Sequence, residues 1–74
     1  MSTTSQGAPR AVTVNGETRD TRAGTLEHLL EELSLTGVPI VAEVNGSIVK
    51  PEDFAATYID GGDRIELVRF VGGG

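Results

Sequence analysis

The last three residues, Gly72, Gly73 and Gly74, are the ones whose type and position could do chemistry. A glycine run has no side chains, so it is the thinnest arm that a polypeptide can form, and it has no apolar surface to bury on ordering. Fully extended, three residues reach roughly 10 Å. We therefore expect a mobile arm in which Gly72 and Gly73 thread into the active site of a partner and deliver the Gly74 carboxylate as the reacting group. The glycines alone leave open a frayed terminus or a cloning remnant.

The composition of the 74-residue chain narrows the classes of partner and cofactor. Its formal net charge is −5, so the phosphate backbone of nucleic acids and anionic membrane surfaces are unfavourable partners. No apolar run approaches the ~18 residues of a membrane span. With no cysteine and a single histidine, His28, neither a disulfide nor a structural metal is expected. We predict a cytoplasmic protein that binds no metal or cofactor of its own.

Two Asn-Gly pairs, at 15–16 and 45–46, predict two β-hairpins, because both central positions of a type I′ turn need a positive φ. The segment after the first pair is polar, which is typical of an edge strand. The strand before the second pair is the most apolar in the chain, which predicts a central position in a sheet. The predicted strands are residues 11–14, 17–22, 40–44 and 47–49.

One main helix is predicted between the two hairpins. Thr25 is a good N-cap residue, and leucines follow it at the spacing of one helical face. Gly37 and Pro39 are predicted to end the helix. After the second hairpin, residues 52–58 are expected to hold a single helical turn. The leucines of the predicted buried face are Leu26, Leu29, Leu30 and Leu33, and the bulky residues expected to close one end of the core are Phe54, Tyr58 and Ile59.

The last predicted strand, residues 64–70, sets the direction of the side chains next to the glycines. If Ile65 and Leu67 point into the core, then Val68 and Phe70 point away from it. Together with Val71, these two residues form the candidate surface for docking a partner, joined by acidic residues that would meet a basic cleft. A β-bulge that turns Phe70 back inward is the alternative.

The order of elements is ββαβ(β)β, with the last strand leading directly into the glycines. A hairpin, one helix laid across a sheet and further strands make an α+β domain. This arrangement resembles the ubiquitin-like β-grasp fold, in which the last strand lies in the middle of a mixed four- to five-stranded sheet, beside the first. We predict a disordered leader over residues 1–10, a β-grasp domain over 11–71 and a flexible glycine tail over 72–74.

The chain also resembles the ThiS family, the sulfur carrier proteins of thiamine biosynthesis, over about residues 11–74. Asn-Gly and Asp-Gly-Gly-Asp turns are generic when taken singly, but their order and spacing ahead of a terminal glycine are typical of this family. The segments that carry the resemblance are residues 43–46 (EVNG) followed by Ile48, Val49 and Pro51, residues 60–68 (DGGDRIELV) and residues 70–74 (FVGGG).

The resemblance implies a protein cosubstrate and not an enzyme. A ThiF-like adenylating enzyme would use MgATP to convert the Gly74 carboxylate into an acyl-adenylate, and persulfide sulfur from a sulfur-transfer enzyme would replace AMP to give a thiocarboxylate. A ThiG-like thiazole synthase would then accept the sulfur. The same tail would also suit a molybdopterin synthase small subunit, a tRNA-thiolation carrier or a ubiquitin-like modifier. The alternative from another class is a non-covalent β-grasp interaction module in which the glycines are incidental.

Overall fold

A computed structural model describes residues 8–70. The strands are β1 (Arg10–Val14), β2 (Glu17–Thr21), β3 (Ile40–Val44), β4 (Ser47–Val49) and β5 (Arg64–Arg69), and the helices are α1 (Leu26–Glu32) and a 3₁₀ helix (Pro51–Ala56). The five strands form one sheet in the order β2-β1-β5-β3-β4. β1 and β5 are parallel and all other neighbours are antiparallel, so the sheet is mixed and its last strand lies in the middle. The predicted ubiquitin-like β-grasp architecture is confirmed.

Both Asn-Gly hairpins form as predicted. Asn15 and Gly16 have φ values of 50° and 83°, and Asn45 and Gly46 have φ values of 52° and 87°. These are the left-handed values that both central positions of a type I′ turn require. The polar β2 lies at one edge of the sheet and the short β4 at the other, in agreement with the edge position predicted for β2.

The predicted boundary between leader and domain is wrong at Arg10, because β1 begins at that residue. The Arg10 guanidinium donates hydrogen bonds to the carbonyl oxygens of Ile59, at 2.8 Å, and Ala23. It also lies 3.7 Å from a carboxylate oxygen of Asp60. An arginine after a proline carries no strand signal of its own, and its place in the fold comes from these contacts with distant segments. Residues 1–7 of the predicted leader lie outside the described residues.

The start and the buried face of α1 match the prediction. The Thr25 hydroxyl oxygen accepts a hydrogen bond from the His28 N–H at 3.2 Å, so Thr25 is the N-cap. This bond satisfies one of the amide groups that the first helical turn leaves without a partner. Of the predicted leucine stripe, Leu26, Leu29 and Leu30 are buried, and Leu33 is partly buried against them.

The end of α1 differs from the prediction, because the helix stops at Glu32 and does not continue towards Gly37. Ser34 adopts a left-handed φ of 61°. The Leu35 N–H then donates to the Leu30 carbonyl oxygen at 2.8 Å, which is the closing bond of a Schellman motif. A serine therefore holds the left-handed position that glycine usually holds, and no glycine marks the stop in the sequence.

The core lies between α1 and the facing side of the sheet. Ile59 is buried and Phe54 partly buried, as predicted, but Tyr58 is 77% exposed and does not close the core. Tyr58 forms an isolated β-bridge with Thr25, so the chain is extended there and successive side chains point to opposite sides. Ile59 takes the inward position and Tyr58 the outward one. The buried apolar residues are Val12, Val14, Ala23, Leu26, Leu29, Leu30, Ile40, Ala42, Ile59 and Ile65.

Candidate functional site

β5 is the strand that leads into the C-terminal residues, and it is paired on both sides. It runs parallel to β1 and antiparallel to β3, and its Ile65 is fully buried. One residue beyond β5, the Phe70 N–H still donates to the Pro39 carbonyl oxygen at 3.1 Å. The chain is therefore held in the sheet as far as the last described residue.

Two asparagine side chains add to this pairing, and we call Asn15 and Asn45 the asparagine clamp. The Asn15 Oδ1 accepts from the Leu67 N–H at 2.7 Å, and its Nδ2 donates to the Leu67 carbonyl oxygen at 3.2 Å. The Asn45 Oδ1 accepts from the Arg64 N–H at 2.9 Å, while its Nδ2 donates to an Asp63 carboxylate oxygen at 3.0 Å. The same residues that make the hairpin turns thus hold β5 at its first residue, Arg64, and at Leu67.

The sequence prediction assigned these asparagines to turns and missed their second role. An amide side chain offers one acceptor and two donors, so it can satisfy a backbone N–H and C=O together, as a strand neighbour would. β1 ends at Val14, and Asn15 continues its pairing with β5 by one more residue through side-chain atoms. The signal that could have revealed this is the choice of Asn, and not Gly or Asp, before both turn glycines.

Apolar side chains form a patch on the face of the sheet away from α1. Val68 is 60% exposed and Phe70 49% exposed, so the predicted phase of the last strand is confirmed. The alternative, a bulge that turns Phe70 inward, is wrong, because the Phe70–Pro39 hydrogen bond continues the regular pairing. Val41 is opposite Val68 on the same face. The outer-face patch consists of Val41, Ile48, Val68 and Phe70.

An acidic pair lies beside the outer-face patch. Glu43 on β3 is directly opposite Glu66 on β5, and Ile48 on β4 is opposite Glu43. Side chains opposite each other in a sheet lie on one face, and like charges at such positions repel. Within residues 8–70, neither carboxylate forms an ion pair. The outer face therefore combines exposed apolar area with two neighbouring carboxylates and a single arginine on β5, Arg64, which suits a partner surface that carries a basic group.

Of the predicted site residues, the structure places Val68 and Phe70, and it brings them together on the outer face. Val71 and the glycines Gly72, Gly73 and Gly74 lie outside the described residues. In the described part of the chain, no group of three or more His, Asp or Glu side chains is arranged to hold a metal ion. Over the same residues, α1 and the 3₁₀ helix are both too short to cross a membrane.

The fold and the central position of the last strand define the class as a ubiquitin-like β-grasp domain that leads into a C-terminal glycine run. The model of the ThiS family matches residues 11–74, which include the whole folded domain after Arg10 and all three glycines. The chain belongs to the ThiS family.

Proteins similar to this chain include one that is itself named ThiS. The crystal structure of the thiamine biosynthesis protein ThiS from Geobacter metallireducens superposes with a TM-score of 0.74 at 31% identity, covering 86% of this chain and 99% of that one. A thiazole synthase of Paramagnetospirillum magneticum is 39% identical over 62 residues, and one of Magnetococcus marinus is 37% identical over 62 residues. In both, the match covers 82% of this chain, which spans 19% of the length of the synthase. The ycf40 protein of Porphyra purpurea is 31% identical over 65 residues, which are 86% of this chain and 92% of that protein.

Proposed function

We propose that the chain is a sulfur carrier of thiamine biosynthesis, and that it carries sulfur as a thiocarboxylate on Gly74. The observation that supports this most directly is the family match, which extends through residue 74 and so includes the glycines. The fold supports it as well, because those glycines follow the strand that is held on both sides in the middle of the sheet.

The chemistry of the carrier follows from its reacting group. A carboxylate is ionised at neutral pH and is a poor electrophile, so its oxygen cannot be replaced without activation. A carboxylate oxygen of Gly74 attacks the α-phosphorus of ATP, pyrophosphate leaves, and an acyl-adenylate forms. A persulfide sulfur attacks the acyl carbon, AMP leaves with one of the original carboxylate oxygens, and reductive cleavage of the S–S bond by a thiol leaves the thiocarboxylate. The chain contributes the carboxylate and its delivery, and the activating partner binds MgATP, so the chain is a cosubstrate and not an enzyme.

The outer-face patch is proposed as the surface that docks these partners. Val68 and Phe70 are the exposed apolar residues nearest the glycines, and Val71 is the residue that follows them. A partner that covers Phe70 is positioned to receive the next few residues. Gly72 and Gly73 are then the stretch that enters its active site, where the absence of side chains allows a narrow channel. The acidic pair Glu43–Glu66 would meet a basic group of the same partner.

The partners we propose are a ThiF-like adenylating enzyme, a sulfur-transfer enzyme and a ThiG-like thiazole synthase. The two thiazole synthases that contain a segment similar to this chain favour a thiazole pathway over molybdopterin synthesis or tRNA thiolation. In those proteins the similar segment and the synthase are one polypeptide, which is the arrangement expected when a carrier and its sulfur acceptor work together.

Intact mass spectrometry tests the carrier chemistry. After incubation with an adenylating enzyme of this type, MgATP and a persulfide source, the mass of the chain should rise by the difference between one sulfur and one oxygen atom. A variant with one alanine added after Gly74 keeps the fold but moves the carboxylate, and it should not gain this mass. An unchanged mass of the wild-type chain, with an adenylating enzyme that is active on a known carrier, would count against the proposal.

A further inference from the structure

A cavity on the α1 side of the sheet is not used by the function proposed above. α1 has seven residues and is roughly 10 Å long, whereas the six residues of β5 span roughly 20 Å. The helix therefore leaves part of this face uncovered. A cavity of about 390 Å³ lies there, and part of its wall is apolar. The apolar residues that matter for its chemistry are Leu33, Leu35, Ile40 and Leu67.

Two arginines line the same cavity, Arg19 from β2 and Arg69 from β5. Arg19 is opposite the buried Val12, and Arg69 is opposite the buried Ile40, so both arginines lie on the α1 side of the sheet. Neither forms an ion pair with any other described residue. Glu17 also lines the cavity, which leaves one excess positive charge in a chain whose net charge is −5. The cavity thus has the opposite charge to the protein around it.

The backbone of β5 is open beside this cavity. On the β1 side, the regular pairing stops at Val14, and the Asn15 side chain binds Leu67. Backbone N–H and C=O groups of alternate residues point to the same side of a strand, so those of Arg69 point the same way as those of Leu67. The Phe70 N–H bonds to Pro39 on the opposite side, which agrees with this direction. None of residues 8–70 is paired with Arg69 on its β1 side.

We propose that this cavity binds an extended segment of a partner protein in which an apolar side chain lies between acidic residues. The Arg69 N–H and C=O pair with the backbone of the segment, as in β-strand addition. The apolar side chain enters between Leu33, Leu35 and Leu67. The acidic side chains two positions to either side of it point to the same face of the segment, and they meet Arg19 and Arg69 in charge-assisted hydrogen bonds. The cavity and the outer-face patch are on opposite faces, so one partner can bind each. The inference does not depend on the chemistry at Gly74.

An NMR titration of the ¹⁵N-labelled full chain tests the proposal, with the acetylated and amidated peptide Glu-Asp-Leu-Asp-Glu as the probe. Saturable shifts should concentrate at the amides of Leu35, Leu67 and Arg69. The variant Arg69→Glu should lower the affinity at least tenfold. Arg64→Glu is the matched control, because it makes the same charge change on the same strand but on the outer face, and it should bind the peptide within twofold of wild type.

Two further peptides test the apolar contact and the charged contacts separately. Replacing the central leucine by glycine removes the apolar side chain, and replacing the four acidic residues by lysines reverses the charge. Both changes should weaken binding at least tenfold, and Arg19→Glu should weaken binding of the acidic peptide as Arg69→Glu does. The spectrum of each free variant shows whether it is folded. Absence of saturable shifts, shifts confined to the outer face, or equal losses in Arg64→Glu and Arg69→Glu would overturn the proposal.

Discussion

Replacing Asn15 with glycine isolates the contribution of the asparagine clamp to stability. Glycine adopts the positive φ of the turn without strain, so the hairpin is retained. What is lost is the pair of hydrogen bonds between the Asn15 side chain and the Leu67 backbone, at 2.7 and 3.2 Å. The variant therefore tests whether a turn residue also holds the strand that leads to the glycines.

The expected magnitude follows from the number and exposure of these bonds. Each hydrogen bond contributes a net ~0.5–1.5 kcal/mol, and exposed bonds belong to the lower part of that range. Two such bonds correspond to about 1–2 kcal/mol. The extra entropy that glycine loses on folding adds ~0.5–1 kcal/mol, and relief of left-handed strain offsets only a few tenths, because asparagine tolerates that conformation. A domain of this size has about 3–5 kcal/mol of net stability. Asn15→Gly should therefore lose about 2 kcal/mol, roughly half of it, which lowers Tm by about 8–16 °C.

Ser34→Gly is the matched control, because it also replaces a left-handed residue with glycine. Ser34 has a φ of 61°, and within residues 8–70 its hydroxyl forms no hydrogen bond that the replacement would remove. Glycine removes the cost of ~1–2 kcal/mol that a left-handed conformation imposes on other residues. It also loses ~0.5–1 kcal/mol more entropy on folding. The difference should stabilise the variant by about 0.5–1 kcal/mol. The two glycine substitutions are thus expected to change stability in opposite directions.

Urea unfolding followed by circular dichroism measures both free energies, and amide hydrogen exchange locates the change. The Leu67 N–H should exchange faster in Asn15→Gly beyond the factor that the global loss of stability explains, because its acceptor has been removed. In Asn45→Gly the corresponding effect should appear at the Arg64 N–H. If Asn15→Gly and Ser34→Gly were equally stable, or if Leu67 exchange were unchanged, the clamp would contribute nothing and the reasoning would be refuted.

Three other predictions concern the outer face and the core. Val68→Asp should lower the affinity for the adenylating partner at least tenfold, as measured by calorimetry. Its free energy of unfolding should change by less than about 0.5 kcal/mol. An unchanged affinity would exclude Val68 from the docking surface. Glu66→Lys should raise the free energy of unfolding by about 0.2–1 kcal/mol, because the contact with Glu43 becomes attractive. The same substitution should lower the rate of association with a basic partner. A higher association rate would contradict this prediction. In urea unfolding, Ile59→Ala should lower the free energy of unfolding by ~2–5 kcal/mol. Tyr58→Ala should lower it by less than about 0.5 kcal/mol. Similar losses in the two variants would mean that the Tyr58 side chain packs in the core.

The sequence predicted the features that depend on strong local signals. Asn-Gly pairs, the leucine spacing after Thr25 and the alternation around Ile65 each correspond to one backbone geometry, and the structure confirms all three. It did not predict the stop at Ser34, because serine in the left-handed region is stabilised by bonds to residues already in the helix. Nor could it place Tyr58, whose direction is decided by a β-bridge to Thr25 that only the folded chain brings together.

The candidate site likewise has features that the sequence could predict and features that it could not. The exposure of Val68 and Phe70 follows from a two-residue period and was predictable once Ile65 was placed in the core. The acidic pair was not, since Glu43 and Glu66 are far apart in sequence and meet only through the register between β3 and β5. The asparagine clamp depends likewise on the pairing of β5 with β1 at Asn15 and with β3 at Asn45. Features that a single strand determines can be predicted locally, while those that two strands share require the register.

The position of β5 also limits where a partner can perform the proposed chemistry. β5 has neighbours on both sides, and the Phe70 N–H still bonds to Pro39, so a pull on the C-terminal residues acts along the strand and loads many hydrogen bonds at once. Phe70 is held in the sheet, and a stretch of four residues, the number that follows it in the sequence, spans at most about 14 Å. In the proposed mechanism, the centre that reacts with Gly74 must therefore lie within that distance of the partner surface that covers Phe70.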